Sequence, residues 1–168
     1  MAERNKRDGV FVIQDGTETP NEITLACEVG DFTWDKSNPM TILRDRGVIT
    51  GARAADDEVC KGSMTLNHVA LCSDLSDTVE EDPTLYEILH SLAAAASWES
   101  TSDAGYAKTC RVIFWVLNPD ADGKDEKTVF EKVLLDTFNF AEGDPDTEKF
   151  SFIDLETAPT VTRDDYSA

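Results

Sequence analysis

The feature that most constrains the fold is a two-residue alternation of apolar and polar side chains. From Cys60 to Cys72 the even positions are Cys, Gly, Met, Leu, His, Ala and Cys, and polar residues stand between them as far as Asn67. Because successive side chains of a strand point to opposite faces, this period predicts one long, half-buried β-strand. A second alternating stretch places four apolar residues on one face, namely Ile23, Leu25, Cys27 and Val29.

Further strands are predicted where β-branched and aromatic residues are bounded by turn residues. These stretches are Gly9–Gln14, Arg111–Leu117, Thr128–Phe140 and a last strand marked by Phe150, Phe152 and Ile153. Turn-forming residues at 118–123 and 142–146 join the last three stretches into consecutive hairpins. Another hairpin is predicted from two arms, Met40–Arg44 and Val48–Ala54, closed by Asp45-Arg46-Gly47.

One helix is predicted, with Asp82 as its N-cap and Pro83 as its first helical residue. Apolar residues then recur with helical spacing at Leu85, Ile88, Leu89 and Leu92, and Ala93–Ala96 prolongs the helix. A single amphipathic helix among strands buries its stripe against a sheet. The chain is therefore predicted to be mainly β: a β-sandwich or barrel with one flanking α-helix and a long projecting hairpin loop.

We expect a single domain over residues 1–168. Its appendages are an N-terminal arm, a projecting hairpin and a C-terminal tail, at 1–8, 35–54 and 157–168 respectively. Fifteen lysines and arginines against thirty-four aspartates and glutamates give a net charge of −19. This balance excludes a free-standing nucleic-acid-binding protein, which needs clustered cations. The apolar runs are far shorter than a transmembrane helix, so no membrane partner is expected.

Catalytic, cofactor and metal sites are not predicted, so we expect no enzymatic activity. The two histidines, His68 and His90, form no dyad with a cysteine and are expected to be structural. The turn Asn118-x-Asp120-x-Asp122-Gly123 resembles the opening of a calcium loop, but Val129 occupies the position of the bidentate glutamate. We expect a plain acidic hairpin there. The cysteines match no zinc spacing and are expected to be small buried residues at Cys27, Cys60, Cys72 and Cys110.

The predicted hairpin differs from the acidic remainder of the chain, because arginines stand among its aliphatic residues. That combination is typical of an interface, where apolar residues and arginine are enriched. Basic arms would then meet the acidic bodies of neighbouring copies. We therefore predict an assembly interface formed by Met40, Ile42, Arg44, Asp45, Arg46, Val48 and Arg53.

In the order of these pieces, residues 9–156 resemble the major tail tube proteins of long-tailed bacteriophages. The resemblance rests on the arm Leu43-Arg44-Asp45-Arg46-Gly47, the strand from Cys60, the helix with Leu85-Tyr86-Glu87-Ile88-Leu89, Ala95-Ala96-Ser97-Trp98 and the turn Glu142-Gly143-Asp144-Pro145-Asp146-Thr147. It does not separate this family from gene-transfer-agent tubes or the related tube of type VI secretion.

The resemblance implies a subunit that self-assembles into hexameric rings, stacked into a hollow tube with an electronegative lumen. DNA passes through such a tube into the host without specific binding. A hairpin loop, here Asp35–Ala54, reaches the neighbouring ring. The implied partners are further copies and other tail proteins (terminator, tape measure, distal tail), and the implied location is the virion tail, assembled in the bacterial host cytoplasm.

We further expect the polar residues Lys61, Ser63, Thr65 and Asn67 to line the wall and Met64 and Leu66 to pack under the helix. Two alternatives stay open. One is another phage structural β-domain (tail terminator, head-completion or capsid decoration), and the other is an acidic β-barrel that binds a ligand or acts as an enzyme.

Overall fold

The computed structural model describes residues 9–26, 32–54, 58–67, 84–102, 107–118, 123–144, 146–156 and 158–166. Ten strands and one short α-helix account for most of them. The strands are β1 Gly9–Gln14, β2 Glu22–Ala26, β3 Thr33–Ser37, β4 Met40–Asp45, β5 Val48–Ala54, β6 Val59–Asn67, β7 Thr109–Val116, β8 Asp125–Ala141, β9 Thr147–Asp154 and β10 Thr160–Asp164. The helix α1 is Leu85–His90, and a 3₁₀ helix follows at Ala93–Ser97. The predicted fold class, mainly β with a flanking helix, is confirmed.

Eight strands form one antiparallel sheet in the order β2-β1-β7-β8-β9-β6-β3, with β10 paired to the start of β8. The 17-residue strand β8 joins two halves of this sheet. Its first part pairs with β7 and β10, and its last part, from Val133 to Ala141, pairs with β9. Strands β4 and β5 pair only with each other and form a separate two-stranded sheet.

The main sheet folds back on itself and encloses the core. The ring of Phe11 in β1 lies 5.6 Å from Phe32, at the start of β3, and 5.9 Å from Phe150 in β9, although neither strand is a neighbour of β1. The register shifts between Cys110 and Val112 in β7, and again within β8. Such irregularities bend strands and increase their twist, so that one sheet can supply both layers of a sandwich.

The core between the layers is aromatic and includes the buried side of α1. Phe11, Phe130, Phe150 and Phe152 are at most 1% exposed. The ring of Phe152 lies over its cross-strand partner Gly62, where an added Cβ would come within 2.3 Å of the ring. Glycine at 62 therefore creates the space that this ring fills.

The helix begins later than the sequence predicts. Its N-cap is Thr84, whose side chain accepts a hydrogen bond from the Glu87 amide, while the Glu87 carboxylate accepts one from the Thr84 amide. This reciprocal pair satisfies amides that a helix start leaves free. The predicted cap Asp82 and first residue Pro83 lie outside the described residues. Ser91 ends the helix in the left-handed conformation, so Leu92 leaves the predicted stripe and is 46% exposed.

Two predicted appendages contribute residues to strands of the main sheet. Residues 35–37 belong to β3, which pairs with β6, so the separate hairpin spans Met40–Ala54 only. The C-terminal tail contains β10, so the strand with Phe150, Phe152 and Ile153 is not the last. The prediction missed both strands because they have no face made of buried apolar residues: every described residue of β10 is exposed. The predicted arm 1–8 lies outside the described residues.

Candidate assembly surfaces

The hairpin β4–β5 closes through a two-residue turn. Arg46 and Gly47 both have positive φ, at 46° and 85°, between the paired residues Asp45 and Val48. Positive φ at both central positions defines the type I′ turn, whose twist matches that of the flanking strands. The register shifts between Leu43 and Arg44, and the Thr50 hydroxyl donates a 3.2 Å hydrogen bond to the Leu43 carbonyl. The ribbon is thus paired along its backbone on both sides of this shift.

The pairing register divides the hairpin into two unlike faces. On one face Met40, Ile42 and Arg44 stand opposite Ala54, Ala52 and Ile49. That face is apolar along most of its length and ends in an arginine near the turn. The other face is mixed and carries Thr41, Leu43, Asp45, Val48, Gly51 and Arg53. Ile49 and Leu43 were not among the predicted interface residues, although the same alternation contains them.

The apolar side chains of this hairpin are exposed. Met40 is 68% exposed, Val48 67% and Ile42 51%. An isolated two-stranded hairpin is marginally stable in water because pairing alone does not offset the entropy of ordering it. A ribbon with large aliphatic side chains in solvent is therefore the part of this chain that gains most from a partner.

The hairpin also differs in charge from the rest of the molecule. Three arginines and one aspartate give residues 40–54 a net charge of +2, within a chain of −19. The described ion pairs all lie elsewhere, so within the described part of the chain Arg44, Arg46 and Arg53 have no carboxylate partner. The structure places all seven predicted interface residues on this ribbon, and their role in assembly remains a prediction.

A second surface is the outer face of the sheet half formed by β8, β9, β6 and β3. Four hydroxyl residues are aligned across these strands by register: Thr33, Ser63, Ser151 and Thr137. The Thr33 and Ser63 hydroxyls are 2.9 Å apart, and those of Thr137 and Ser151 are 2.6 Å apart. We call this surface the hydroxyl face. Lys61 is exposed on it and Thr65 half-buried, while Met64 and Leu66 are buried on the opposite side, as the alternation predicts.

Three buried carboxylates, Asp15, Glu148 and Asp154, were not identified from the sequence. Asp15 is 0% exposed and accepts hydrogen bonds from the amides of Thr17, Asn21 and Glu99 and from two side chains. Burial alone would raise the pKa of Asp15, but the hydrogen bonds from Thr17 and Asn21 outweigh it and lower the pKa. Asp15 therefore fastens the β1–β2 turn to the segment after the 3₁₀ helix.

Asp154, at the end of β9, is held less completely. It is 4% exposed, its Oδ1 accepts a 3.1 Å hydrogen bond from the Glu156 amide, and its Oδ2 has no partner within the described structure. Burial, with the negative charges of Glu156 and Glu131 nearby, raises the pKa of Asp154 to about 6. This carboxyl is thus a source of pH-dependent stability.

The remaining candidate residues form no reactive site in the described structure. His90 is exposed and its Nδ1 lies 2.9 Å from the Tyr86 carbonyl oxygen, whereas His68 lies outside the described residues. Cys60 and Cys110 are free and buried, and burial raises the pKa of Cys110 to about 12. Cys27, Cys72 and residues 119–122 of the calcium-like turn lie outside the described residues. Among the described side chains, no cluster of three or more His, Cys, Asp or Glu is arranged to hold a metal.

None of the described helices has the length and apolar character needed to span a membrane. No protein-family model matches the sequence. No curated protein matches it either.

Several solved structures contain chains with the same fold. One chain, from the sheath/tube terminator of the PVC extracellular contractile injection system in its extended state, has a TM-score of 0.60 at 6% identity, covering 96% of this chain and 98% of that one. A chain from the sixfold-symmetrised baseplate of the anti-feeding prophage scores 0.58 at 8% identity, covering 96% and 97%. A chain from the PVC sheath–tube complex scores 0.56 at 7% identity, covering 98% and 93%. The likeness spans nearly the whole of each chain and establishes a shared fold.

Proposed function

We propose that this chain is a structural subunit of a tail tube, which assembles into hexameric rings stacked around a hollow conduit with an electronegative lumen for the passage of DNA into the host. The observation that carries the proposal is the hairpin Met40–Ala54. It is a paired, arginine-bearing ribbon whose aliphatic residues are exposed. A subunit of a polymer can bury such an element against another copy, whereas a monomer leaves its aliphatic residues in solvent.

The edges of the main sheet provide a second argument. Strands β2 and β3 lie at the two ends of the sheet order, and each pairs with one neighbour among the described strands. Unpaired edges are prone to uncontrolled association, and pairing the edges of successive copies around a closed ring removes them. Ring closure through these edges, with the hairpin reaching the next ring, would satisfy both features of the chain.

The comparisons are consistent with this role. The similar chains come from assemblies named as a sheath–tube complex, a sheath/tube terminator and a sixfold-symmetrised baseplate. By analogy the partners of this chain are identical copies and other tail proteins such as terminator, tape measure and distal tail proteins. Its location is then the virion tail, with assembly in the bacterial host cytoplasm. The role needs no cofactor, no catalysis and no membrane.

The hydroxyl face is suited to line the bore. Serine, threonine and asparagine side chains bind phosphate weakly, and a conduit needs wall contacts that break easily during transit. On this face Lys61 and Lys149 are balanced by Asp35 and by Asp136, whose carboxylate accepts a hydrogen bond from the Ser151 hydroxyl. The electronegative character of the lumen would therefore come from acidic turns at the bore's rims and not from these strands.

Electron microscopy of the purified protein in negative stain tests the proposal. We expect stiff hollow tubes above a critical protein concentration. Because subunits of −19 repel one another, added salt or divalent cations should promote assembly from near-zero ionic strength. An assembly that weakened steadily with added salt over this range, or a protein that stayed monomeric throughout, would contradict a tube subunit.

A tail terminator is the second candidate, because one of the similar chains comes from a structure of a sheath/tube terminator. A terminator caps a tube and does not propagate, so it would form single rings at every concentration. The same micrographs therefore separate the two roles. Isolated globules with a ligand-sized cavity would instead favour a binding module.

A further inference from the structure

A second group of exposed apolar residues lies where α1 meets the end of β8. The Tyr86 ring, 45% exposed, is 5.4 Å from Phe138 in an edge-to-face contact. Phe140 follows two residues later on the same side of β8 and is 49% exposed. These three residues form what we call the aromatic ledge. Unlike Trp34 or Leu155, which are exposed singly, they are contiguous.

The ledge ends in negative charge. Glu142 and Asp144 follow Phe140 in the β8–β9 turn, and both are exposed. From Asp136 to Lys149 five acidic residues and one lysine give a net charge of −4. The ledge thus combines exposed aromatic surface with the exposed carboxylates of Glu142 and Asp144, which is the complement of the arginine-bearing hairpin.

The two ribbons also share the order of their side chains. Toward its turn β4 presents Met40, Ile42 and Arg44 at alternate positions, and Arg46 follows in the turn. Toward its own turn β8 presents Phe138 and Phe140 at alternate positions, and Glu142 and Asp144 follow in the turn. Residues two apart on a strand are separated by about 6.6 Å, so the apolar pair Met40/Ile42 and the aromatic pair Phe138/Phe140 have matching spacing. Laid side by side with their turns together, apolar residues meet aromatic rings and arginines meet carboxylates.

We propose that the aromatic ledge is the docking site for the Met40–Ala54 hairpin of a second copy of this chain. The inference rests on the proposed tube function and adds to it the receiving surface. The aliphatic face of the hairpin covers Tyr86 and Phe140, and Arg44 and Arg46 pair with Glu142 and Asp144. Because ledge and hairpin are different surfaces, each copy offers one of each and the contact propagates along an axis.

Charge reversal tests this contact. The ledge variant Glu142→Lys/Asp144→Lys and the hairpin variant Arg44→Glu/Arg46→Asp each place like charges opposite one another. We expect each alone to raise the critical concentration for assembly about tenfold or more at about 0.15 M ionic strength, read by sedimentation and microscopy. An equimolar mixture of the two variants should assemble again, because every ledge then meets a hairpin of opposite charge.

The control variant Glu18→Lys/Glu99→Lys makes the same change in net charge as the ledge variant, at exposed positions outside the ledge. It should assemble like wild type, and equal circular dichroism and thermal melting of all variants would exclude misfolding. Three outcomes would overturn the contact while leaving the tube function standing. They are tubes from both reversed variants, inhibition by the control equal to that by the reversed variants, or a mixture that stays unassembled. If wild type formed no tubes, the tube function would fail, and sedimentation equilibrium of the mixture against its separate components would still decide the contact.

Discussion

The hairpins β4–β5 and β8–β9 have the same backbone architecture and opposite relations to the rest of the molecule. Both are antiparallel ribbons with a register shift in one strand. Strand β9 places Phe150 and Phe152 in the core at 0% and 1% exposure, whereas β4 leaves Met40 and Ile42 in solvent. Backbone pairing is common to both, so the difference lies in which faces are covered. We infer that the β8–β9 ribbon stabilises the monomer and that the β4–β5 ribbon is available for other copies.

The largest effect that follows from this comparison is on monomer stability. Phe152→Ala should lower the free energy of unfolding by about 3–5 kcal/mol, since it removes a buried ring and leaves a cavity over Gly62. Ile42→Ala should change it by less than about 0.5 kcal/mol, because that side chain is already in water. Urea denaturation of dilute protein measures both. Similar losses for the two variants would contradict the contrast between the hairpins.

The helix extends the comparison to a buried and an exposed leucine three residues apart. Leu89→Ala should cost about 2–5 kcal/mol because Leu89 is 7% exposed within the main core. Leu92→Ala is the matched control, since Leu92 lies beyond the helix end and is half exposed. Thermal melts measure the stability of both variants. An unchanged melting temperature for Leu89→Ala would show that the helix does not pack as described.

A smaller effect concerns pH. The folded-state pKa of Asp154 is raised to about 6 from 3.8, so the folded protein binds this proton more tightly than the unfolded chain does. Asp154 therefore costs stability above pH 6, and that cost disappears as the pH falls toward 4. The stability advantage of Asp154→Asn over wild type should therefore grow as the pH rises from 4 to 6, by an amount on the order of 1 kcal/mol after solvent screening. Denaturation at a series of pH values measures this difference, and a constant difference would show that Asp154 titrates normally.

The smallest effect on folding should accompany a large effect on assembly. Ile49→Ser lies on the exposed apolar face of the β4–β5 hairpin and should leave monomer unfolding unchanged within about 0.5 kcal/mol. It should nevertheless reduce tube formation, because it removes apolar surface from the proposed contact. Leu155→Ser, also exposed but outside the hairpin, serves as the control. Equal assembly of both variants, measured by light scattering, would place the hairpin outside the interface.

Alternation identified the strands that bury one face, and composition identified those that bury both. In β6 the buried residues Cys60, Met64 and Leu66 occupy the even positions that the period predicts. The turn of the β4–β5 hairpin was also predictable, since Gly47 tolerates the positive φ that a tight turn needs. These features depend on local chemistry alone.

Other features depend on tertiary context and left no such signal. Strand β10 is fully exposed, so the backbone hydrogen bonds that hold it to β8 have no counterpart in side-chain pattern. Nothing in the sequence distinguishes the buried residues Asp15 and Asp154 from the other members of a set of thirty-four acidic residues. The N-cap is Thr84 and not the predicted Asp82, because Thr84 and Glu87 form a capping box, which is less conspicuous in the sequence than Asp82-Pro83. The aromatic ledge joins residues some fifty positions apart, and only the folded chain brings them together.

Strand Asp125–Ala141 has one more consequence. Because this continuous segment supplies backbone partners to β7 and β10 at one end and to β9 at the other, the two layers are joined by a shared strand as well as by their side-chain core. Displacing one layer relative to the other would therefore bend the backbone of this strand in addition to disturbing the packing of the core.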